Sequence, residues 1–233
     1  MQADNSLLLG LDTAGSSCSV AVMDKGRVLA SRIETMRRGQ SERLLPIVQE
    51  VLDEAGKELL DMAGFAVTTG PGGFTGVRIG LATAQGFALA CDKQLVGVNN
   101  FKVLARGVPI VEKVKDIQIV VIIDAKRADL FAQSFDSKLN PLTEPFAALP
   151  ENLSDLLPEG NLLLVGDGID QAYEDLKKAG REIAVSTSSV NADAQNLLLC
   201  AVEHQLFDGK NKPVEPLYLR APDVSLPKNK PTF

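Results

Sequence analysis

The segment from residue 65 to residue 91 constrains the fold more than any other part of the sequence. Residues 65–69, with the sequence FAVTT, predict a buried strand. The run GPGGFTGVRIG follows at residues 70–80, and residues 77–91 predict a helix. Glycines at such a junction let two backbones approach closely because they carry no Cβ. The succession of strand, glycine loop and helix indicates an α/β protein whose helix packs on its own sheet.

The regions around this segment predict further strands and helices. Three apolar runs separated by polar turns predict an antiparallel meander at residues 6–11, 18–23 and 28–33. Apolar residues recur at helical spacing from Ser41 to Ala55, and Gly56 supplies a stop. The second half predicts strands at residues 118–123, 130–135 and 162–165 and a helix at residues 192–207.

Size and charge narrow the class of protein. A chain of 233 residues, 45% of them hydrophobic, can bury a substantial core in one domain or in two small subdomains. The formal net charge of −6 argues against a dominant electrostatic grip on a nucleic-acid backbone, which needs clustered lysine and arginine. If RNA is involved, we expect another protein to hold it.

Cysteine and histidine usage argues against a disulfide framework and against a metal site. Cys18, Cys91 and Cys200 lie far apart and form no CxxC pair, which is typical of a reducing compartment. His204 is the single histidine, so a two-histidine metal site within the chain is excluded. The N-terminus lacks a basic segment followed by a long apolar one. We therefore expect a soluble, cytoplasmic protein without a metal and without a membrane span.

The glycine loop matches neither of two common nucleotide-binding motifs. No Gly-Lys-Ser/Thr follows it, and Thr75 stands where the pattern GxGxxG needs its third glycine. A helix N-terminus after the loop can nevertheless bind an anion, with Arg78 one turn into the helix. A tight structural turn explains the glycines equally well.

Two aspartates at predicted turns extend this hypothesis to a vestigial phosphate site. Asp12 and Asp124 would meet across a cleft, as the phosphate-binding loops of actin-like ATPases do, or each would simply hydrogen-bond its own turn. The loop after Asp124 lacks glycine, which argues against an active ATPase. The residues predicted for the vestigial site are Asp12, Gly72, Gly73, Thr75, Arg78 and Asp124.

The helix after the glycine loop carries two rows of small residues. Gly76, Gly80, Ala84 and Ala88 are four apart, and Ala82, Gly86 and Ala90 form a second row at the same spacing. Glycine in a helix costs about 0.5–1 kcal/mol relative to alanine, so close packing should compensate. The chain's own sheet would cover one row, and a partner's helix is the candidate for the other.

Four segments together resemble the TsaB (YeaZ-type) family, in the family's order. They are residues 8–22, 40–46, 70–84 and 216–220, and the resemblance is strong over about the first 105 residues and patchy afterwards. It implies an α/β protein with the actin-like ATPase superfold (ribonuclease H-like), in two subdomains that each have a mixed sheet and helices. The implied division is residues 1–105 for the partner-binding subdomain, 106–220 for the second subdomain and 221–233 for a tail.

The resemblance also implies a function. A TsaB protein is an accessory subunit that binds and regulates TsaD, the subunit that transfers threonylcarbamoyl from threonylcarbamoyl-AMP to the N6 of the adenosine beside the anticodon in tRNAs reading codons that start with A. TsaE, an ATPase, joins the complex, and tRNA contact is indirect. The resemblance also implies that the protein, when alone, forms a homodimer through the surface that would bind TsaD. It implies no cofactor, and it leaves open whether a nucleotide binds at the junction with TsaD.

We expect the helix at residues 41–55 and the helix at residues 76–91 to form this surface. The residues predicted for the contact are Leu44, Leu45, Val48, Leu52, Gly76, Gly80, Ala84 and Phe87. Some of them must face the chain's own sheet, and periodicity alone does not divide the two sets.

Two alternatives remain from the residues. One is an ATP-dependent phosphotransferase or ATPase of the actin-like superfold acting alone, with Asp12 and Asp124 near the phosphates and residues 166–168 near the base. The other is a glycoprotease-type peptidase, which the single His204 and the lack of a GxSxG motif argue against.

Overall fold

Apolar strands in the first half of the chain build one of two sheets. The computed structural model describes residues 6–210 and 213–220. The strands are β1 (Leu7–Asp12), β2 (Ser17–Asp24), β3 (Arg27–Thr35), β4 (Gly64–Thr68) and β5 (Gln94–Val98). Their order across the sheet is β3-β2-β1-β4-β5, and the first three are antiparallel while β4 and β5 run parallel to β1. The predicted meander and the strand before the glycine loop are confirmed, and β5 is an additional strand.

The second half of the chain builds a similar sheet. Its strands are β6 (Ile117–Asp124), β7 (Leu130–Phe135), β8 (Phe146–Ala148), β9 (Asn161–Val165) and β10 (Ile183–Val185). They are ordered β10-β9-β6-β7-β8, with β7 antiparallel to β6 and β8, and with β9 and β10 parallel to β6. Both sheets are mixed, which confirms what the family resemblance implies.

Helices connect the strands. They are α1 (Gln40–Ala55), α2 (Phe74–Cys91), α3 (Asn100–Gly107), α4 (Leu153–Leu156), α5 (Ile169–Lys178) and α6 (Ala194–Glu203). The helices predicted at residues 41–55, 77–91 and 192–207 correspond to α1, α2 and α6. Helices α3 and α5 were not predicted. No helix in the described ranges is both long enough and apolar enough to cross a membrane.

The sheets and helices form five layers. Helices α1 and α2 cover one face of the first sheet, where they pack on alternate strand residues such as Leu9, Leu11 and Phe65. Helices α3 and α6 lie between the two sheets and share one apolar cluster with residues of both. Helices α4 and α5 cover the outer face of the second sheet. The central helical layer therefore joins the two halves through a continuous core.

This packing crosses the predicted subdomain boundary. Residue 105 lies inside α3, and α6 packs against β1 and β2 of the first sheet although it belongs to the second half of the sequence. The segment 213–220 also returns to the first half, where the Leu217 amide donates to the Thr69 carbonyl over 2.8 Å. Arg220 of the same segment pairs with Asp129, just before β7. The predicted tail at residues 221–233 lies outside the described residues.

The glycine loop allows α2 to lie directly against the β1–β2 turn. The Thr13 hydroxyl donates to the Gly76 carbonyl over 2.7 Å, and the Gly73 amide donates to the Ala14 carbonyl over 2.7 Å. A Cβ added at Gly72 would overlap the Ala14 carbonyl oxygen, and a Cβ at Gly76 would overlap that of Thr13. Glycine is thus required at these positions by a close approach of backbones.

Two glycine-to-alanine substitutions in α2 should have opposite effects on stability. We expect Gly76→Ala to lower the free energy of unfolding by about 1–3 kcal/mol, because the methyl group forces α2 away from the turn. Gly86→Ala should raise it by about 0.5–1 kcal/mol, since no atom lies within 4 Å of the added Cβ. Urea unfolding measures both. A neutral or stabilising Gly76→Ala would contradict the close approach.

Candidate functional site

A cleft of about 470 Å³ opens between the two sheets. On the side of the first sheet its walls are the β1–β2 turn, residues 37–41 and the glycine loop with the first turn of α2. On the side of the second sheet they include Asp124 at the end of β6, Lys126 in the following turn, and Asp167 after β9. The cleft lies where the ends of β1 and β6 face each other, which is a position where α/β sheets bind ligands.

The cleft brings together four of the six residues predicted for the vestigial phosphate site. Gly72, Gly73, Thr75 and Asp124 line it. Asp12 and Arg78 do not, and for these two the placement corrects the prediction. The guanidinium carbon of Arg78 lies 3.2 Å from the centre of the Phe74 ring and 5.4 Å from that of Tyr218, so this cation is engaged by aromatic faces.

Asp12 is sealed inside the first half of the protein. Its Oδ1 accepts hydrogen bonds from the Thr68 hydroxyl and from the Ala14 amide, whereas its Oδ2 has no partner among the described residues. Burial raises the pKa of Asp12 from 3.8 to about 6, and the hydrogen bonds from Thr68 and Ala14 only partly oppose this effect. A carboxylate in this setting is packed into the core and does not face a ligand in the cleft.

Asp124, by contrast, is ionised and paired. The Lys126 ammonium lies 3.0 Å from Asp124 and 3.1 Å from Asp167. Partial burial opposes ionisation of Asp124, but hydrogen bonds from the Lys126 side chain and amide outweigh it and hold the pKa of Asp124 below its usual value. Asp12 and Asp124 therefore differ in environment and do not act as a carboxylate pair across the cleft.

Burial divides the residues that were predicted for partner contact. Leu44, Val48, Leu52, Gly80 and Ala84 are buried in the chain's own core, so their side chains are not available to a partner and the prediction is corrected for them. The β1–β2 turn packs directly against Gly76. The centres of the Phe87 and Phe65 rings lie 6.0 Å apart. Leu45 is 55% exposed and is the predicted residue that faces outward.

The outward face of α2 is formed by the second row of small residues. Ala82, Gly86 and Ala90 are exposed, and Leu89 beside them is 85% exposed. The contact predicted from the sequence uses the other row, so the prediction is corrected here too. Two facts available in the sequence mark the helix as unusual: it has 18 residues, and Arg78 is its single charged side chain. We call Leu45, Ala82, Gly86, Leu89 and Ala90 the outer helix surface.

Metal and nucleophile chemistry finds little support in the described ranges. No group of three or more His, Cys, Asp and Glu side chains there is arranged to hold a metal ion. His204 follows the last residue of α6 and does not line the cleft between the two sheets. Burial raises the pKa of the Cys18 and Cys200 thiols to about 12, so neither is a reactive thiolate.

Comparison with known proteins first identifies the class. The family model of TsaD, tRNA N6-adenosine threonylcarbamoyltransferase, matches residues 27–207. The activator of 2-hydroxyisocaproyl-CoA dehydratase from Clostridium difficile superposes with a TM-score of 0.52 at 11% identity, covering 85% of this chain and 95% of that one. At so low an identity the likeness concerns the fold alone. The two mixed sheets and the helical layers define an actin-like fold.

Closer relatives then identify the family. The tRNA threonylcarbamoyladenosine biosynthesis protein TsaB of Escherichia coli (strain K12) is 33% identical over 223 residues, which are 91% of this chain and 94% of the relative. YeaZ from Pseudomonas aeruginosa is 27% identical and superposes with a TM-score of 0.75, covering 92% of this chain and 100% of that one. The chain belongs to the TsaB (YeaZ) family of tRNA threonylcarbamoyladenosine biosynthesis proteins.

The buried Asp12 should make stability depend on pH in a way that Asp12→Asn removes. Because the pKa is 3.8 for the free side chain and about 6 in the folded chain, the folded state holds this proton over a range in which the unfolded state has lost it. Stability from this group is therefore complete at low pH, falls as pH rises through that range, and is lower by about 3 kcal/mol above it.

The difference in free energy of unfolding between Asp12→Asn and the wild type isolates this group, because every other carboxylate is common to both. We expect that difference to rise by about 3 kcal/mol in favour of Asp12→Asn between about pH 3 and about pH 7. Urea unfolding at several pH values measures it. A difference that stays constant with pH would show that Asp12 titrates normally.

Proposed function

We propose that the chain is an accessory subunit in the synthesis of threonylcarbamoyladenosine in tRNA, and that it binds and regulates a TsaD protein through the outer helix surface. The transfer of threonylcarbamoyl from threonylcarbamoyl-AMP to the N6 of the adenosine beside the anticodon, in tRNAs reading codons that start with A, then belongs to TsaD. The observation that carries this proposal is the exposed apolar face of α2 on a member of the TsaB family.

The outer helix surface has the properties of a docking site. Large exposed apolar side chains next to small ones allow a partner's helix to approach closely, and burying them removes apolar area from water. Leu89 at 85% and Leu45 at 55% exposure are the large residues, and Gly86 lies three residues before Leu89 with no atom within 4 Å of an added Cβ. Helices α1 and α2 also pack against each other, so one partner can contact both.

An accessory role without catalysis is supported by the surroundings of the two aspartates that the sequence predicts for phosphate binding. Asp12 is buried and bonded to Thr68, and Lys126 is held between Asp124 and Asp167. None of these groups is free to position a nucleophile or a metal-bound phosphate. We further propose that TsaE joins the complex, that the chain self-associates through the same surface when alone, that tRNA is held mainly by the partners, and that the complex works in the cytoplasm.

Charged substitutions on the outer helix surface should separate binding from folding. We expect Leu89→Arg to abolish co-purification with TsaD of the same cell and to convert a homodimer into a monomer, because it places a charge in an apolar contact. Gly86→Arg should do the same while keeping or raising stability, since glycine is the poorer helix former. Pull-down, light scattering and thermal unfolding measure the three quantities.

Ile110→Arg is the matched control. Ile110 is also 85% exposed but lies in the short 3₁₀ helix Ile110–Glu112, outside the outer helix surface. This variant should bind TsaD normally. The proposed surface is wrong if Ile110→Arg abolishes binding while Leu89→Arg leaves it intact.

The division of labour is tested by omission. In a reconstituted threonylcarbamoylation assay, we expect modification of tRNA to require both TsaD and this chain, and the chain alone to be inert. Leu89→Arg should lower the rate in proportion to the lost complex. Hydrolysis of ATP or modification of a small molecule by the chain alone would instead favour the phosphotransferase alternative.

A further inference from the structure

Four basic side chains from three separate segments gather around α3. Lys102 and Arg106 lie one turn apart on α3, Lys113 follows the short 3₁₀ helix Ile110–Glu112, and Lys138 lies in the connection between β7 and β8. Lys102, Arg106 and Lys138 line one small hollow. The Lys113 ammonium donates to the Arg106 carbonyl over 3.2 Å. We call Lys102, Arg106, Lys113 and Lys138 the basic surface.

The buried thiol of Cys200 shows that three of these cations converge. Burial raises the pKa of Cys200 to about 12, and the positive charges of Arg106, Lys102 and Lys113 each oppose that increase. Partial burial and the charge of Arg106 in turn lower the pKa of Lys113. The Lys113 ammonium is therefore held close to a like charge and partly out of water, which is unfavourable unless an anion is near.

Carboxylates of the chain balance only part of this charge. Glu203 pairs with Arg106 through both of its oxygens, at 2.9 and 3.1 Å. Asp136 accepts hydrogen bonds from Asn140 and from the Lys138 backbone amide within its own turn. The ammonium groups of the three lysines form no ion pair with any side chain that the structure describes. The basic surface is thus a local reversal of charge in a chain with 30 acidic and 24 basic residues.

The shape of the basic surface argues against a small ligand. The hollow beside α3 has a volume of about 220 Å³, which is below the range of roughly 300–1,000 Å³ that is typical of small-molecule sites. Lys138 is exposed, and Lys102 and Lys113 are half-buried, so the charges lie at the protein surface. Lysine is a point charge on a flexible stem and contacts phosphate without a fixed two-point geometry. A polyanion with many separate charges therefore fits this surface better than a single phosphate does.

We propose that the basic surface contacts the phosphate backbone of tRNA. The inference rests on the proposed function, because the chain belongs to a family of tRNA threonylcarbamoyladenosine biosynthesis proteins. Phosphate contacts of this kind fix the position and orientation of a nucleic acid and carry no sequence information. The chain then helps to position the tRNA for TsaD, while the net charge of −6 leaves most of the grip to the partners.

Fluorescence anisotropy with labelled, unmodified tRNA tests the proposal on the full chain alone and on its complex with TsaD. We expect Lys102→Gln/Lys138→Gln to weaken tRNA binding by about tenfold at low ionic strength, because two charged contacts with phosphates are lost. The slope of log affinity against log salt concentration should fall in magnitude by about 2, which is about one for each lost contact.

Lys177→Gln/Lys178→Gln is the matched control for net charge. Both lysines are exposed on α5, which covers the outer face of the second sheet, and neither lines the hollow beside α3. This variant should leave the tRNA affinity unchanged within about twofold, because salt screens exposed charges beyond a distance of about 10 Å. Thermal unfolding shows whether both double variants fold.

Kinetics separate a role in tRNA binding from loss of the complex. Lys102→Gln/Lys138→Gln should co-purify with TsaD as the wild type does, raise the KM for tRNA in the reconstituted assay and leave kcat unchanged. If the wild-type chain does not bind TsaD, the proposed function fails, whereas anisotropy on the chain alone still tests the basic surface.

Three results would overturn the proposal. The first is equal tRNA affinity of Lys102→Gln/Lys138→Gln and of the control variant. The second is a lower kcat with an unchanged KM for tRNA. The third is binding of poly-glutamate or of anionic lipid vesicles through these lysines while tRNA does not bind, which would assign the surface to an acidic protein or to a membrane.

Discussion

The contact between the β1–β2 turn and the glycines of α2 is the constraint on which the rest of the structure depends. Thr13 and Ala14 present backbone carbonyls to Gly72, Gly73 and Gly76, and any side chain at the first or last of these glycines would separate the two elements. This close approach presses α2 onto the first sheet and fixes the direction of its axis. It thereby decides which face of α2 is buried, which face is exposed, and where its N-terminus opens.

The same contact determines which face of α2 is exposed and where its N-terminus lies. Because the first row of small residues is used against the turn and the sheet, the second row is left at the surface beside Leu89. Because the helix begins at the loop, its free amides face the cleft. Helices α3 and α6 pack between the two sheets. They therefore connect the wall of the cleft formed by the second sheet to the wall formed by the first. The exposed small-residue row and the N-terminus that lines the cleft thus belong to the same helix.

Much of the fold could be predicted because its signals are local. The run of apolar residues in β1, the helical spacing in α1 and the glycine loop each identify their element without reference to the rest of the chain. Helix α5 was missed although its apolar residues Ile169, Ala172, Tyr173 and Leu176 recur at helical spacing, so the signal for this helix was present in the sequence. The basic surface was missed because its residues come from three separate segments that share no pattern. Only the folded chain brings them together around α3.

The sequence by itself determined the α/β class and the presence of one helix whose small residues form two rows, because periodicity is a property of neighbouring residues. The family followed from the resemblance of four short segments, and that resemblance also implied the actin-like fold. The tertiary structure alone decided which row is buried, that Asp12 is sealed in the core while Asp124 is paired with Lys126, and that the cations of the basic surface converge. The physical reason is that burial, pKa and the grouping of charges depend on groups that lie far apart in the chain and meet only when both sheets close on their shared helices.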